Sequence, residues 1–173
     1  TGGAALLKQY FEDGYYPGGA ANAPDGFTPS GSLLRACLAD SGDDMSGLSG
    51  YPGYKEGWGR ILLDSVCYFS GDTRQLFVVD KAHTLGVTTG QSQSFNFSVT
   101  SGSNLRVHMA FADEPGSAFA SQPVVNNLDL TVTAPDGTQY FGNILNASTS
   151  QSTPNPAHHD PKNTMEGVLV SAP

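Results

Sequence analysis

Several carboxylate and amide side chains in the second half of the sequence suit metal binding. Calcium prefers several oxygen ligands from carboxylates, amides and carbonyls. The loops and strand ends there offer Asp113, Asn126, Asn127, Asp129, Asp160, Asn163 and Glu166. We predict a calcium site whose ligands are Asp113, Asn127, Asp129 and Glu166. The alternative is structural, with Asp113 starting a turn and Asp129 facing water.

The residues of the sequence offer less support for a hydrolytic active site than for a metal site. A serine triad needs a nucleophile, a neighbouring base and an orienting acid, and no serine lies in a G-x-S-x-G turn. The four histidines are His83, His108, His158 and His159. His108 falls on the polar face of a predicted strand and is expected at the surface. His158 and His159 lie in a proline-rich loop, where a zinc site would need further ligands such as Asp160. We therefore predict no catalytic residue in this chain.

The two cysteines, Cys37 and Cys67, are too few for a disulfide framework. The favoured interpretation is two small buried side chains, and the alternative is a single disulfide. Neither cysteine has the histidine-rich surroundings of a catalytic thiol.

The overall composition limits the possible partners. The formal net charge is −8 and the basic residues are scattered singly, which argues against nucleic acid and anionic membranes. No apolar stretch approaches the roughly 20 residues that a membrane helix needs. An acidic surface is typical of a soluble, secreted protein or of one that binds calcium. Hydrophobic residues make up 38% of the chain, which is enough for a core.

The first part of the chain is predicted to be helical and rich in glycine. Apolar residues recur at spacings of three and four in residues 3–12 and again around Leu33, Leu34, Cys37 and Leu38. Thr28 is predicted to cap the second helix, with Pro29 in its first turn. Residues 62–69 are predicted to form one more short helix.

Beyond residue 70 the apolar pattern has period two. Residues 75–80, 92–100, 104–112, 128–133 and 165–170 are predicted strands. In several of them apolar residues alternate with polar ones, as in half-buried antiparallel strands. Residues 146–161 are predicted to be a loop. Short strands separated by turns indicate a β-sandwich or jelly roll. The sequence thus predicts a helical unit over 1–70 and an antiparallel β-sandwich over 71–173.

Motifs in the helical unit resemble those of subtilisin-like serine proteases, the subtilases. Residues 1–11 (TGGAALLKQYF) are similar to the helix that follows the catalytic serine in that family. Residues 28–36 (TPSGSLLRA) resemble the next helix. The run GWGRI at 57–61 resembles the Gly-Tyr/Trp-Gly-Arg-Val/Ile signature near the end of the catalytic domain.

The β unit continues this resemblance in collinear order. Residues 107–115 (VHMAFADEP), 125–132 (VNNLDLTV), 134–140 (APDGTQY) and 163–170 (NTMEGVLV) resemble the jelly-roll domain of the larger, alkaline subtilisin-like proteases. The mixed fold implied is the C-terminal helices of a subtilisin-like α/β catalytic domain followed by an antiparallel jelly roll. We expect the jelly roll to be incomplete, because its final strands have no counterpart here.

The resemblance implies a secreted endopeptidase as the parent protein, with a calcium-stabilised accessory domain. The family's serine motif would lie just before Thr1, so none of its catalytic residues can be assigned in this chain. The chain by itself is expected to be inactive and to support the catalytic domain. Its expected partners are the rest of that domain and, through it, a protein or peptide substrate.

A binding module is the alternative function, because sandwich folds also hold carbohydrate or protein ligands. Sugar sites usually present exposed aromatic residues, for which Tyr140 and Phe141 are candidates.

Overall fold

The computed structural model describes residues 1–48, 50–146 and 148–171. Helix α1 spans Gly2–Glu12 and helix α2 spans Gly31–Asp40. Both are amphipathic, as their spacing predicts: α1 buries Leu7, Tyr10 and Phe11, while α2 buries Leu33 and Cys37. These side chains form one core with Val66 and Cys67, against which Leu76 and Val78 also pack.

The start of α2 differs from the sequence prediction. Its N-cap is Ser30, whose Oγ accepts a hydrogen bond of 3.0 Å from the Leu33 amide. The prediction that Thr28 caps the helix is wrong. Thr28 instead donates a hydrogen bond from its hydroxyl to Glu12 of α1. Ser30 satisfies one of the amides that a helix start leaves free.

The predicted helix at 62–69 is also wrong, because only a 3-10 turn at Leu63–Ser65 forms there. The chain then bends and places Val66 and Cys67 in the helical core. Two further 3-10 turns lie at Ala23–Asp25 and His83–Leu85. Within the described ranges, no helix has both the length and the apolar character needed to cross a membrane.

The strands form small antiparallel sheets, as their alternating patterns indicate. Strand β1 (Gly42–Asp43) pairs with β2 (Arg60–Ile61), and β3 (Leu105–Ala110) pairs with β7 (Met165–Val170). Strand β5 (Gln139–Asn146) lies between β4 (Thr131–Thr133) and β6 (Gln151–Pro154). The fold is therefore a mixed one, with two helices and antiparallel sheets.

The β3–β7 pair is covered on both faces. His108 lies opposite Gly167 in the register, and its ring contacts Asp40 of α2 on one face. Glu166 points to the other face, where it meets Gly142 of β5. Successive side chains of a strand alternate between faces. The pair is consequently a middle layer between α2 and the three-stranded sheet.

Some predicted strands do not form. Residues 75–80 and 92–100 enter no ladder within the described residues, and residues 128–133 contribute only β4. Conversely, the predicted loop at 146–161 contains β6. A period-two pattern favours an extended backbone, but a strand also needs a neighbour to pair with.

Candidate functional site

A buried carboxylate occupies the space between the two larger sheets. Glu166 is fully buried, and its Oε2 accepts a hydrogen bond of 2.8 Å from the Leu130 amide. Its Oε1 has no hydrogen-bond partner within the described residues. Burial, reinforced by the charges of Asp129 and Asp160, raises the pKa of Glu166 to about 7. A buried carboxyl of this kind favours either a proton or a compensating cation.

Glycine at position 142 makes room for this side chain. A Cβ added at Gly142 would lie 2.5 Å from the Cβ of Glu166, far inside van der Waals contact. Strand β5 therefore passes directly over the carboxylate of β7. Sequence reasoning missed this role, because no strand was predicted over residues 139–146 and a glycine indicates a close approach only once its neighbour is known.

Asp160 lies beside Glu166 in a dense hydrogen-bond network. Its Oδ2 accepts hydrogen bonds of 2.6 Å from the side chains of Asn143 and Asn163. Its Oδ1 accepts one from the Lys162 amide. Burial alone would raise the pKa of Asp160, but these donors outweigh it and hold the pKa below its usual range. Asp160 therefore remains negatively charged next to the buried glutamate.

Asn143 links this network to β7. Its backbone is in the left-handed region, with φ of 61°, which asparagine tolerates better than most residues. Its side-chain amide donates to Asp160 and to the Met165 carbonyl, and its oxygen accepts from the Gly167 amide. These bonds fix β5 against β7 on either side of Glu166.

Asp129 lies on the more exposed side of the same region. Its Oδ1 accepts a hydrogen bond of 2.8 Å from the Asn127 side chain and lies 4.0 Å from Nδ1 of His159. That nitrogen is buried and has no hydrogen-bond partner within the described residues. The His159 ring stacks on Phe141 with the ring centroids 3.7 Å apart. The structure thus brings Asp129, Asp160, Glu166 and His159 into one region, here called the acidic pocket.

Asp113 occupies a different environment. Its carboxylate accepts the backbone amides of Glu114, Val125 and Asn126 and the side chain of Asn126. Burial alone would raise the pKa of Asp113, but these N–H donors together outweigh it and lower the pKa below its ordinary value. Its oxygens are occupied in holding the loop that leads to Val125. Within the described residues, no three His, Cys, Asp or Glu side chains form a ready metal-binding group.

His108 was predicted at the surface, and the structure shows the opposite. Its side chain is only 2% exposed, and Nδ1 lies 2.8 Å from Oδ1 of Asp40. Its Nε2 is buried without a hydrogen-bond partner in the described chain, and the ring meets Trp58 edge-on at 4.6 Å. The prediction failed because α2 and the Trp58 loop cover the polar face of β3.

Arg106 extends this contact on the same face of β3. Its guanidinium donates hydrogen bonds of 2.8 Å to the Gly42 carbonyl and to the Tyr51 hydroxyl. Its Nε lies 3.9 Å from Asp40. Asp40 consequently faces both a histidine and an arginine from the β unit, which attaches α2 to β3.

The Asp40–His108 pair supplies an acid and a base but no nucleophile. Nε2 of His108 faces Gly167 and Trp58, and no serine hydroxyl among the described residues bonds to an imidazole.

Both cysteines are buried and free. Burial, with the charge of Asp40, raises the pKa of Cys37 to about 12, and burial raises that of Cys67 to about 11. Neither thiol is therefore activated for nucleophilic attack.

Comparison with known proteins relates the chain to proteases. It is 31% identical over 138 residues, or 78% of its length, to serine protease/ABC transporter B family protein tagA of Dictyostelium discoideum. It is 24% identical over 216 aligned residues, covering 99% of the chain, to the protein named tagD of the same family and organism. The chain spans 8% and 12% of these relatives' lengths. No protein-family model matches it. The similarity supports a serine-protease-related origin.

Proposed function

We propose that this chain is the C-terminal part of a subtilisin-like serine endopeptidase of the larger alkaline type, and that it supports the catalytic domain. The observation that carries the proposal is the similarity over 78% and 99% of the chain to two proteins named as serine proteases. The triad of the parent would lie upstream of Thr1. The helical unit would then pack beneath the active site, and the β unit would brace it as a jelly roll.

The contacts between the two units support a bracing role. Arg35 of α2 donates hydrogen bonds to the Phe111 carbonyl and to the Thr164 hydroxyl, at 3.2 and 3.0 Å. Asp40 at the end of the same helix contacts His108 and Arg106. Arg35 lies in the middle of α2 and Asp40 at its end, so the β unit holds the helix at two points along its length.

The experiment compares the chain with a longer polypeptide from the same coding sequence. The longer product is expected to carry the Gly-Thr-Ser-Met motif upstream of Thr1 and to cleave a fluorogenic peptide, with loss of activity after treatment with a serine-directed inhibitor. The 173-residue chain should stay at the buffer rate. Absence of the motif upstream, or cleavage by the short chain, would overturn the assignment.

We further propose that the acidic pocket binds calcium. The pocket fits a cation that prefers oxygen ligands, because Glu166 has an unpartnered buried oxygen and the charges of Asp129 and Asp160 act on it. Asp113 fits less well, since its oxygens already accept several N–H groups. Asn127 would contribute by orienting Asp129. A bound calcium ion would neutralise the pocket and hold β5 and β7 together.

Isothermal titration with calcium at pH 7.5 tests this proposal. We expect Glu166→Gln to remove binding. The matched variant Asp136→Asn should retain it, because Asp136 lies in the exposed turn before β5. No heat of binding at millimolar calcium, or equal binding by both variants, would contradict a site at Glu166.

The proposed parent would be secreted and would act on protein or peptide substrates. The net charge of −8 supports a soluble extracellular protein that contacts neither nucleic acid nor membrane. The alternative of a carbohydrate-binding module has less support. Phe141 stacks on His159, and both Tyr140 and Phe141 are half-buried, so neither presents the open ring face that sugar sites use.

A further inference from the structure

One segment, residues 92–100, has the alternating sequence of a strand but no strand partner within the described residues. Phe95, Phe97 and Val99 alternate with polar residues along it. None of its residues enters a β-ladder within the described chain. Unpaired extended backbone with an apolar face is the usual template for adding a strand from another chain.

The apolar face of this segment is anchored to the molecule. Phe77 lies between Phe95 and Phe97, with ring centroids 6.4 and 6.3 Å away. The neighbours of Phe77 along the chain, Leu76 and Val78, pack on the helical core. The three rings are nevertheless 60%, 46% and 46% exposed. They form an aromatic patch that is exposed to solvent and is held next to the helical core by Leu76 and Val78.

The charge distribution favours a second copy of this chain as the partner of the aromatic patch. The chain carries a net charge of −8, yet residues 82–105 contain no Asp, Glu, Lys or Arg. Two copies repel each other over most of their surfaces. The uncharged segment is the place where two copies approach at the lowest electrostatic cost. Its own sequence is also a suitable partner, because it supplies the same alternation of apolar and polar residues.

We propose that two copies of this chain associate by antiparallel pairing of residues 92–100 about a two-fold axis at Asn96. In this register Phe95 of one copy lies opposite Phe97 of the other, and Ser94 lies opposite Ser98. Because these phenylalanines share one face of the segment, the four rings of the pair lie together. Such an isologous contact closes on itself as a dimer, and aromatic cross-strand pairs stabilise it.

Cysteine cross-linking tests the register on the full chain. Asn96→Cys places two thiols opposite each other at the axis, so a mild oxidant should convert most of this variant to a disulfide-linked dimer. Ser94→Cys is the matched control, because its thiol would face Ser98 rather than another thiol. Cys37 and Cys67 are buried and should not react. Equal cross-linking of both variants would contradict the register.

Sedimentation velocity over a concentration series tests the association itself. The wild type should dimerise reversibly, and more strongly at high salt, because salt screens the repulsion between the copies. Phe97→Lys should raise the dimer dissociation constant about tenfold or more, since it buries charges opposite Phe95. Phe119→Lys is the control, because Phe119 is fully exposed outside the patch and its replacement should leave the dimer unchanged.

Each result decides the proposal. A wild type that remains monomeric at all concentrations overturns it and assigns the patch to a partner of another sequence. Equal weakening by Phe97→Lys and Phe119→Lys also overturns it, because association would then follow general surface apolarity. A dimer lost only with Phe97→Lys and cross-linked only through Asn96→Cys supports it.

Discussion

Glu166 ties the stability of this chain to pH. Its folded-state pKa is about 7, against an ordinary value of 4.5, so the folded state holds this proton more tightly than the unfolded state. The contribution of the proton to stability is complete below pH 4.5 and is lost as the pH rises through 7. A difference of this size corresponds to about 3 kcal/mol in the free energy of unfolding. Glu166→Gln should abolish this dependence and be the more stable form above pH 7.

Urea unfolding from pH 4.5 to 8 in the presence of a chelator measures this difference. The chelator removes any cation that would replace the proton. Glu114→Gln is the control, since Glu114 is exposed and its variant should follow the wild type. A Glu166→Gln profile parallel to the wild type would show that the carboxyl does not control this region.

His108 contributes to stability through packing and a hydrogen bond. Its ring fills the space between Trp58 and Gly167 and bonds to Asp40. His108→Ala should leave a cavity and a half-buried carboxylate without this partner, which costs about 2–4 kcal/mol. Chemical unfolding at pH 7 measures the loss. His83→Ala, at an exposed position, should change stability by less than about 0.5 kcal/mol. Equal losses of stability in His108→Ala and His83→Ala would contradict a role for His108 in holding α2 against β3.

The contact between strands β5 and β7 depends on one glycine. Gly142→Ala would force the new methyl group against Glu166, so the strands must separate or the carboxylate must move. We expect a loss of about 3 kcal/mol, at the upper end of the range for overpacked interiors. Thermal unfolding measures it. Gly31→Ala in α2 is the control, because an added Cβ there meets no atom within 4 Å and alanine favours a helix.

The sequence predicted elements well where local pattern and long-range pairing agree. The predicted strand at 165–170 has the bounds of β7, and the one at 104–112 contains β3 with one extra residue at its start and two at its end. Both form because the two strands pair along their full length. Residues 92–100 have an equally clear pattern but no neighbour within the described chain. Ser30 rather than Thr28 caps α2 because its hydroxyl accepts a hydrogen bond from the Leu33 amide, and serine is also the more favoured of the two residue types at an N-cap.

The candidate site was predictable only in its composition. Asp129 and Glu166 were predicted as oxygen ligands, and the structure brings the charge of Asp129 close enough to Glu166 to raise its pKa; that they bind calcium stays a prediction. The structural alternative for Asp113, that it starts a turn, agrees with the backbone amides of Glu114, Val125 and Asn126 that its carboxylate accepts. Asn143, Gly142 and His108 were missed as functional positions, because each takes its role from a strand or helix distant in sequence. Pairing across the fold, which local pattern does not encode, assembles this region.

At the scale of the whole molecule, the helical and β units share their contacts. Leu76 and Val78, from beyond residue 70, pack against the core of α1 and α2. Arg35 and Asp40 connect α2 to β3 and to the residue before β7. Contacts of this kind couple the unfolding of the two units, because neither retains all of its buried surface when the other unfolds.

Cooperativity between the units can be measured with the one tryptophan of the chain. Trp58 belongs to the helical unit but its ring meets His108 of β3, so its fluorescence reports the contact between the units. Far-ultraviolet circular dichroism reports the helices and strands. We expect both signals to change at the same urea concentration, because loss of the contact removes buried surface from both units. Arg35→Ala should weaken the coupling and separate the two transitions. Two transitions in the wild type would show instead that the units unfold independently.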